Sequence, residues 1–71
     1  MAENSATDVR VQAQQALSHS SIRDLRNLQV ERRNGDLVIS GSVSRFYHKQ
    51  LAQEIVLSIC NRGVVNSVEV Q

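Results

Sequence analysis

The sequence predicts an α+β fold: a two-layer αββαβ sandwich in which a three-stranded sheet carries two helices on one face. Three observations lead there. An Asn34-Gly35 dipeptide separates two segments of alternating polarity. Two stretches, near 7–18 and 45–60, repeat their apolar residues at helical spacing. A valine-rich segment closes the chain after Gly63. A sheet with one apolar face and two amphipathic helices buries its surface most simply as two layers, with solvent on the open side of the sheet. The strand–helix–strand unit from Leu37 to Val70 should cross over right-handed, which makes the third strand parallel to the second. The strand order stays open at this point.

Residues 1–6 read as a flexible N-terminus and 7–71 as a single domain. Ser5 followed by Asp8 fits a capping box with Asp in place of Glu. The first helix then runs to about Ser18, with Val9, Ala13, Ala16 and Leu17 as its apolar stripe. His19-Ser20-Ser21 ends it. Ile22 and Leu25 fall in an irregular connection to Leu28 and should plug the core from there.

The Asn-Gly turn implies a register that can be checked against the side chains. Arg33 faces Asp36, Arg32 faces Leu37, Glu31 faces Val38, Val30 faces Ile39, Gln29 faces Ser40 and Leu28 faces Gly41. One face then carries Leu28, Val30, Leu37, Ile39 and Val43. The other carries Gln29, Glu31, Ser40, Ser42 and an exposed Val38. Gly35 sits where the turn wants positive φ. Gly41 lies on the core side, where the missing side chain would let a helix pack closely.

Ser44 is a good N-cap for the second helix, about 45–60. Leu51, Ala52, Ile55 and Ile59 share its inner face, with Val56 at the edge and His48 near the start. Cys60-Asn61-Arg62-Gly63 ends it, with Asn61 or Gly63 able to turn left-handed. The last strand is Val64 to Val70. Asn66 interrupts its apolar side and should bond exposed backbone at a sheet edge or at the end of the second helix.

Composition narrows the function. With 71 residues, 8 Lys plus Arg against 7 Asp plus Glu, and 3% aromatics, the chain lacks both the charge and the stacking platforms of a nucleic-acid binder. One Cys excludes an internal disulfide and a multi-thiolate zinc site. Cys60 reads as a packing residue. His19 and His48 have no partners at ligand spacing, so no metal or other cofactor is expected. No nucleophile motif is present, and so short a chain leaves little room for a cleft, so neither an enzyme nor a small-molecule substrate is expected. No targeting signal or transmembrane run is read, which gives a cytoplasmic chain as it stands.

From residue 28 onward the sequence resembles the BON domain, named for bacterial osmotically induced and nodulation proteins. Gly-Asp-Leu-Val-Ile-Ser-Gly-Ser-Val (35–43) is similar to that family's hairpin Gly, alternating aliphatics and Gly-x-Val. Leu51-Ala52 and Ile55 follow at its spacing. Asn66-x-Val68-x-Val70 is similar to its closing motif, and Tyr47-x-Lys49-Gln50-x-Ala52 to a subgroup. Cys60-Asn61 departs from the family's usual Gly-Val. The resemblance implies a small α/β module proposed to bind phospholipid or to anchor proteins at membranes, envelope-associated where it belongs to a longer exported protein.

The residues that could carry such a role start the second helix. Phe46 and Leu57 point away from the Leu51/Ile55 stripe, and Arg45 and Lys49 lie close to Phe46 and Tyr47. A basic-aromatic helix start suits a phospholipid surface, with the aromatic dipping in and cations meeting phosphates. The same surface, with a sheet edge, could instead dock a protein partner or a second copy as a weak homo-oligomer. Arg32 and Arg33, offset by Glu31 and Asp36, read as a solubilised hairpin tip.

Overall fold

The computed structural model describes residues 9–60 and 63–71. The flexible end at 1–6, the Ser5–Asp8 capping box and the left-handed exit at Asn61 lie outside the described residues. The chain forms α1 (Val9–Ser18), α2 (Arg23–Arg26), β1 (Gln29–Arg33), β2 (Asp36–Ser40), β3 (Ser42–Val43), α3 (Phe46–Ile59), β4 (Val64–Asn66) and β5 (Glu69–Val70). The fold is α+β, with a mixed three-stranded sheet in the order β1-β2-β4 and a small β3-β5 pair.

The hairpin has the register that the turn implies, from Gln29↔Ser40 to Arg33↔Asp36. Asn34 and Gly35 both have positive φ, 55° and 86°, as a two-residue turn between right-twisted strands requires. Alternation then buries Val30, Leu37 and Ile39, and Leu28 and Val43 continue the same face. Val38 corrects the expectation of exposure. It is half-buried, because its cross-strand neighbour Val65 shields it on the open face.

β4 runs parallel to β2, and β5 parallel to β3. The expected single last strand is thus broken at Ser67–Val68, yet its register never slips. Leu37↔Val64 and Val43↔Val70 keep the same offset, and the Ser67 and Glu69 N–H groups donate to the Ile39 and Gly41 carbonyls across the gap, at 2.8 and 2.9 Å. The two sheets are one bent ribbon. The bend lies at Gly41, whose φ is +124°. A Cβ there would stand 2.8 Å from Leu28 Cδ2. The close neighbour is therefore Leu28 across the hairpin, not a helix.

The connection expected to be irregular contains the one-turn helix α2. It buries Leu25 and leaves Ile22 partly buried, so both residues serve the core as expected. Ser20 Oγ accepts the Ile22 N–H at 3.0 Å and shapes the approach.

Ala13 and Leu17 of α1 and Ala52 and Val56 of α3 are fully buried over the sheet, with Val68 closing one end. Leu51, Ile55 and Ile59 are only partly buried, so the inner face of α3 is centred on Ala52 and Val56 rather than on Leu51 and Ile55. Two side-chain ties set that rotation, one at the head of the buried line and one on its flank. His48, in line with Ala52 and Val56, is held by Asp24. On the flank facing β4, Asn66 Nδ2 donates to the Lys49 carbonyl and to Gln53 Oε1, at 2.9 and 3.1 Å. Asn66 is a structural residue, as expected: its Oδ1 accepts the backbone N–H of Val68 in the last strand segment, while its Nδ2 binds the early part of α3 rather than its end.

Candidate functional site

Arg45 occupies the N-cap position of α3 in extended conformation and makes no side-chain capping bond. Ser44, the expected cap, is turned elsewhere: its N–H and Oγ–H both donate to Asp24 Oδ2, at 2.7 and 2.6 Å. His48 Nδ1 meets the same oxygen at 2.8 Å and must be the donor, since a carboxylate only accepts. These bonds from Ser44, and then that from His48, hold the Asp24 carboxyl well below the usual carboxylate range, against the opposing effect of desolvation. An ionised carboxylate offers Ser44 a stronger bond than the bare helix terminus does, which is why the cap is displaced.

Nothing at Asp24 announced this cluster in the sequence. Its partners lie 20 and 24 residues away, and the carboxylate is positioned by the single turn of α2. Serine, histidine and aspartate together invite comparison with a nucleophilic relay, but the bonding differs. The hydroxyl proton goes to the carboxylate, so the serine is not paired with the imidazole that would have to activate it. The cluster is a clasp that joins α2 to the start of α3.

The clasp predicts an acid dependence. A carboxyl whose folded pKa is depressed contributes stability that is fully present above its unfolded value and is lost as pH falls toward the folded value. Denaturant unfolding should therefore show stability declining below about pH 4, and Asp24→Asn should remove part of that slope. Identical slopes in the two proteins would contradict the clasp.

Above the clasp, the first turn of α3 projects into solvent. Phe46 is 59% exposed and Tyr47 64%, beside an exposed Arg45. They are the chain's only Phe and Tyr, and it has no Trp, so the core is built without an aromatic side chain. The first turn contains no acidic residue. Lys49, expected in the same cluster, lies on the flank facing β4 and is half-buried, its carbonyl committed to Asn66. Leu57 is 36% exposed but sits about three turns further along the helix. Gln50 and Glu54 are exposed in the interval. The structure thus brings Arg45, Phe46 and Tyr47 together and leaves Leu57 apart.

A shallow groove on the open face of the sheet, lined by Arg33, Asn34, Asp36, Val38, Val65 and Ser67, has a volume of about 240 Å³. That is below the range of small-molecule pockets. At the hairpin tip, Arg33 pairs with Glu31 at 3.4 Å, with both side chains well exposed. Cys60 is partly buried and packs against the core. Among the described residues, no group of three or more His, Cys, Asp or Glu side chains is placed to hold a metal ion. No described helix is long and apolar enough to cross a membrane.

Comparison with protein-family models, with curated proteins and with solved structures finds no match to this chain.

Proposed function

We propose that this chain is a non-enzymatic binding module that seats the first turn of α3 on an anionic phospholipid surface. One observation carries the reading: both of the chain's aromatic residues stand side by side in solvent at a helix start. A domain this small buries only about 60% of its unfolded surface and gains from every large side chain it can bury. Phe46 and Tyr47 stay outside that core. An aromatic ring at a headgroup boundary has its apolar body in the acyl region, and a Tyr hydroxyl can remain wet.

The electrostatics of the turn suit the same partner. Arg45 is exposed, the first turn carries no acid, and the positive end of the α3 dipole points the same way. Asp24 stands behind the turn with Ser44 and His48, which satisfy its oxygen. The resemblance to BON domains supports the same class of partner.

With two rings and few cations, binding should be weak and salt-sensitive. Co-sedimentation with phosphatidylserine–phosphatidylcholine vesicles at low salt should show partitioning that falls with added salt. Phe46→Ala combined with Tyr47→Ala should lower it by about tenfold, the order expected for removing two half-inserted rings. Absence of binding at low salt, or wild-type binding by the double variant in a folded protein, would defeat the proposal.

A further inference from the structure

The Asp24 clasp encloses the exposed turn of α3 from both sides. Its donors are Ser44 N–H and Oγ–H, just before Arg45, and His48 Nδ1–H, just after Tyr47. They lie 2.7, 2.6 and 2.8 Å from one oxygen, Asp24 Oδ2. A single carboxylate oxygen thus ties both ends of the segment 44–48. That oxygen is itself well placed to hold still. Asp24 precedes Leu25, which is fully buried and anchors the single turn of α2 in the core.

The segment needs such a tie. Helix geometry leaves the N–H groups of Arg45, Phe46 and Tyr47 without an intrahelical acceptor, and Arg45 at the N-cap supplies no side-chain bond. The Arg45 carbonyl accepts the His48 and Lys49 N–H groups, at 3.0 and 3.3 Å, and an uncapped turn of this kind frays. The clasp also reaches an exposed ring. The imidazole of His48, held through Nδ1, has its centroid 5.8 Å from that of Tyr47, with the planes tilted by 50°. By charge, Asp24 opposes an anionic surface, by about fivefold in affinity where it lies close. By geometry, it orders the turn that meets that surface.

We propose that Asp24 is a positioning residue for the lipid-facing turn: it holds the segment 44–48 in one conformation, so that Phe46 and Tyr47 reach the bilayer already ordered. The inference rests on the phospholipid reading above. A segment ordered before contact binds at its intrinsic affinity, whereas one that is ordered for a fraction of the time loses affinity in proportion to that fraction.

Asp24→Asn and Asp24→Ala separate geometry from charge, because each removes the same negative charge. Asparagine keeps an acceptor oxygen for Ser44 and His48, and alanine keeps none. Asp24→Ala should bind phosphatidylserine–phosphatidylcholine vesicles about fivefold less tightly than Asp24→Asn, the order expected for losing a helix cap. In the free protein, the His48 and Lys49 amides should exchange faster in the alanine variant. Charge alone predicts that both variants gain equally over the wild type. Equal binding by the two folded variants, with wild-type binding intact, would overturn the inference and leave the lipid reading standing, whereas absence of wild-type binding would overturn both. If Asp24→Ala does not fold, Ser44→Ala replaces it. That variant changes an exposed side chain, removes one of the three donors at constant net charge, and should weaken binding about twofold or more. Unchanged binding by folded Ser44→Ala would then overturn the inference.

Discussion

Replacing Gly41 by alanine is expected to destabilise the domain by about 2–6 kcal/mol, read from urea unfolding. Two costs combine. A φ of +124° is a conformation that L side chains rarely adopt, and holding one there costs about 1–3 kcal/mol. The new Cβ would also stand 2.8 Å from Leu28 Cδ2 and 3.4 Å from Leu28 Cα, and overpacking of that kind typically costs a further ~1–3 kcal/mol. A domain of this length has only about 4–10 kcal/mol in total, so the variant should be near its folding limit. Leu28 is itself fully buried, and Leu28→Ala should cost about 2–5 kcal/mol. The double variant distinguishes the two effects of Gly41→Ala. If crowding contributes as argued, the pair will cost about 1–2 kcal/mol less than the sum of the singles, because removing Cδ2 relieves the clash. Strict additivity would assign the cost to the backbone alone, and a Gly41→Ala loss under about 0.5 kcal/mol would refute both parts.

That bend shows where the sequence was readable and where it was not. Asn34-Gly35 and an alternation of period two are local signals, and they specify the hairpin down to each facing pair. Leu25 and Leu28 were recognisable as core residues from hydrophobicity alone, although the single turn of α2 carried no pattern long enough to show a helix. The interruption at Ser67–Val68 has no signature of its own. Val64, Val68 and Val70 continue the alternation, and the bend is imposed by Gly41 on the neighbouring strand. The rotation of α3 is likewise tertiary. Spacing places Leu51, Ala52, Ile55 and Ile59 on one face, but the ties at His48 and at Lys49–Gln53 decide which line of that face points inward.

The candidate site divides in the same way. Phe46 falls off the apolar stripe by helical arithmetic, so its exposure is legible from the sequence; Tyr47, one turn before Leu51, is turned outward by the rotation of α3. The half-burial of Lys49 is not legible, because it depends on an amide from a strand that follows 17 residues later. The Asp24 clasp is the extreme case. It takes the residue that pattern assigns as the helix cap and uses it for a contact between two elements that no local rule connects.

Asn66 offers the sharpest test of such a contact, because its amide donates and accepts on opposite sides. Nδ2 donates to the Lys49 carbonyl and Gln53 Oε1, and Oδ1 accepts the Val68 N–H. Asn66→Asp keeps the shape and the acceptor but points a carboxylate oxygen at two other oxygens. At pH 7 this should cost about 2–4 kcal/mol, more than Asn66→Ala, which loses the bonds without adding repulsion. The pH dependence gives the sign. Two facing acceptors raise the folded pKa of the introduced carboxyl above its unfolded value, so the folded state binds the extra proton, and stability relative to Asn66→Ala falls as pH rises from about 4 toward 7. Acidification should then narrow the gap between the two variants, since the protonated carboxyl can again donate to the Lys49 carbonyl. The Asp24 clasp weakens at low pH in both proteins alike, so their difference isolates the contribution at position 66. A gap that stays constant with pH, or an aspartate variant no less stable than the alanine one at pH 7, would mean that the donors of Asn66 do not hold α3 to the last strand.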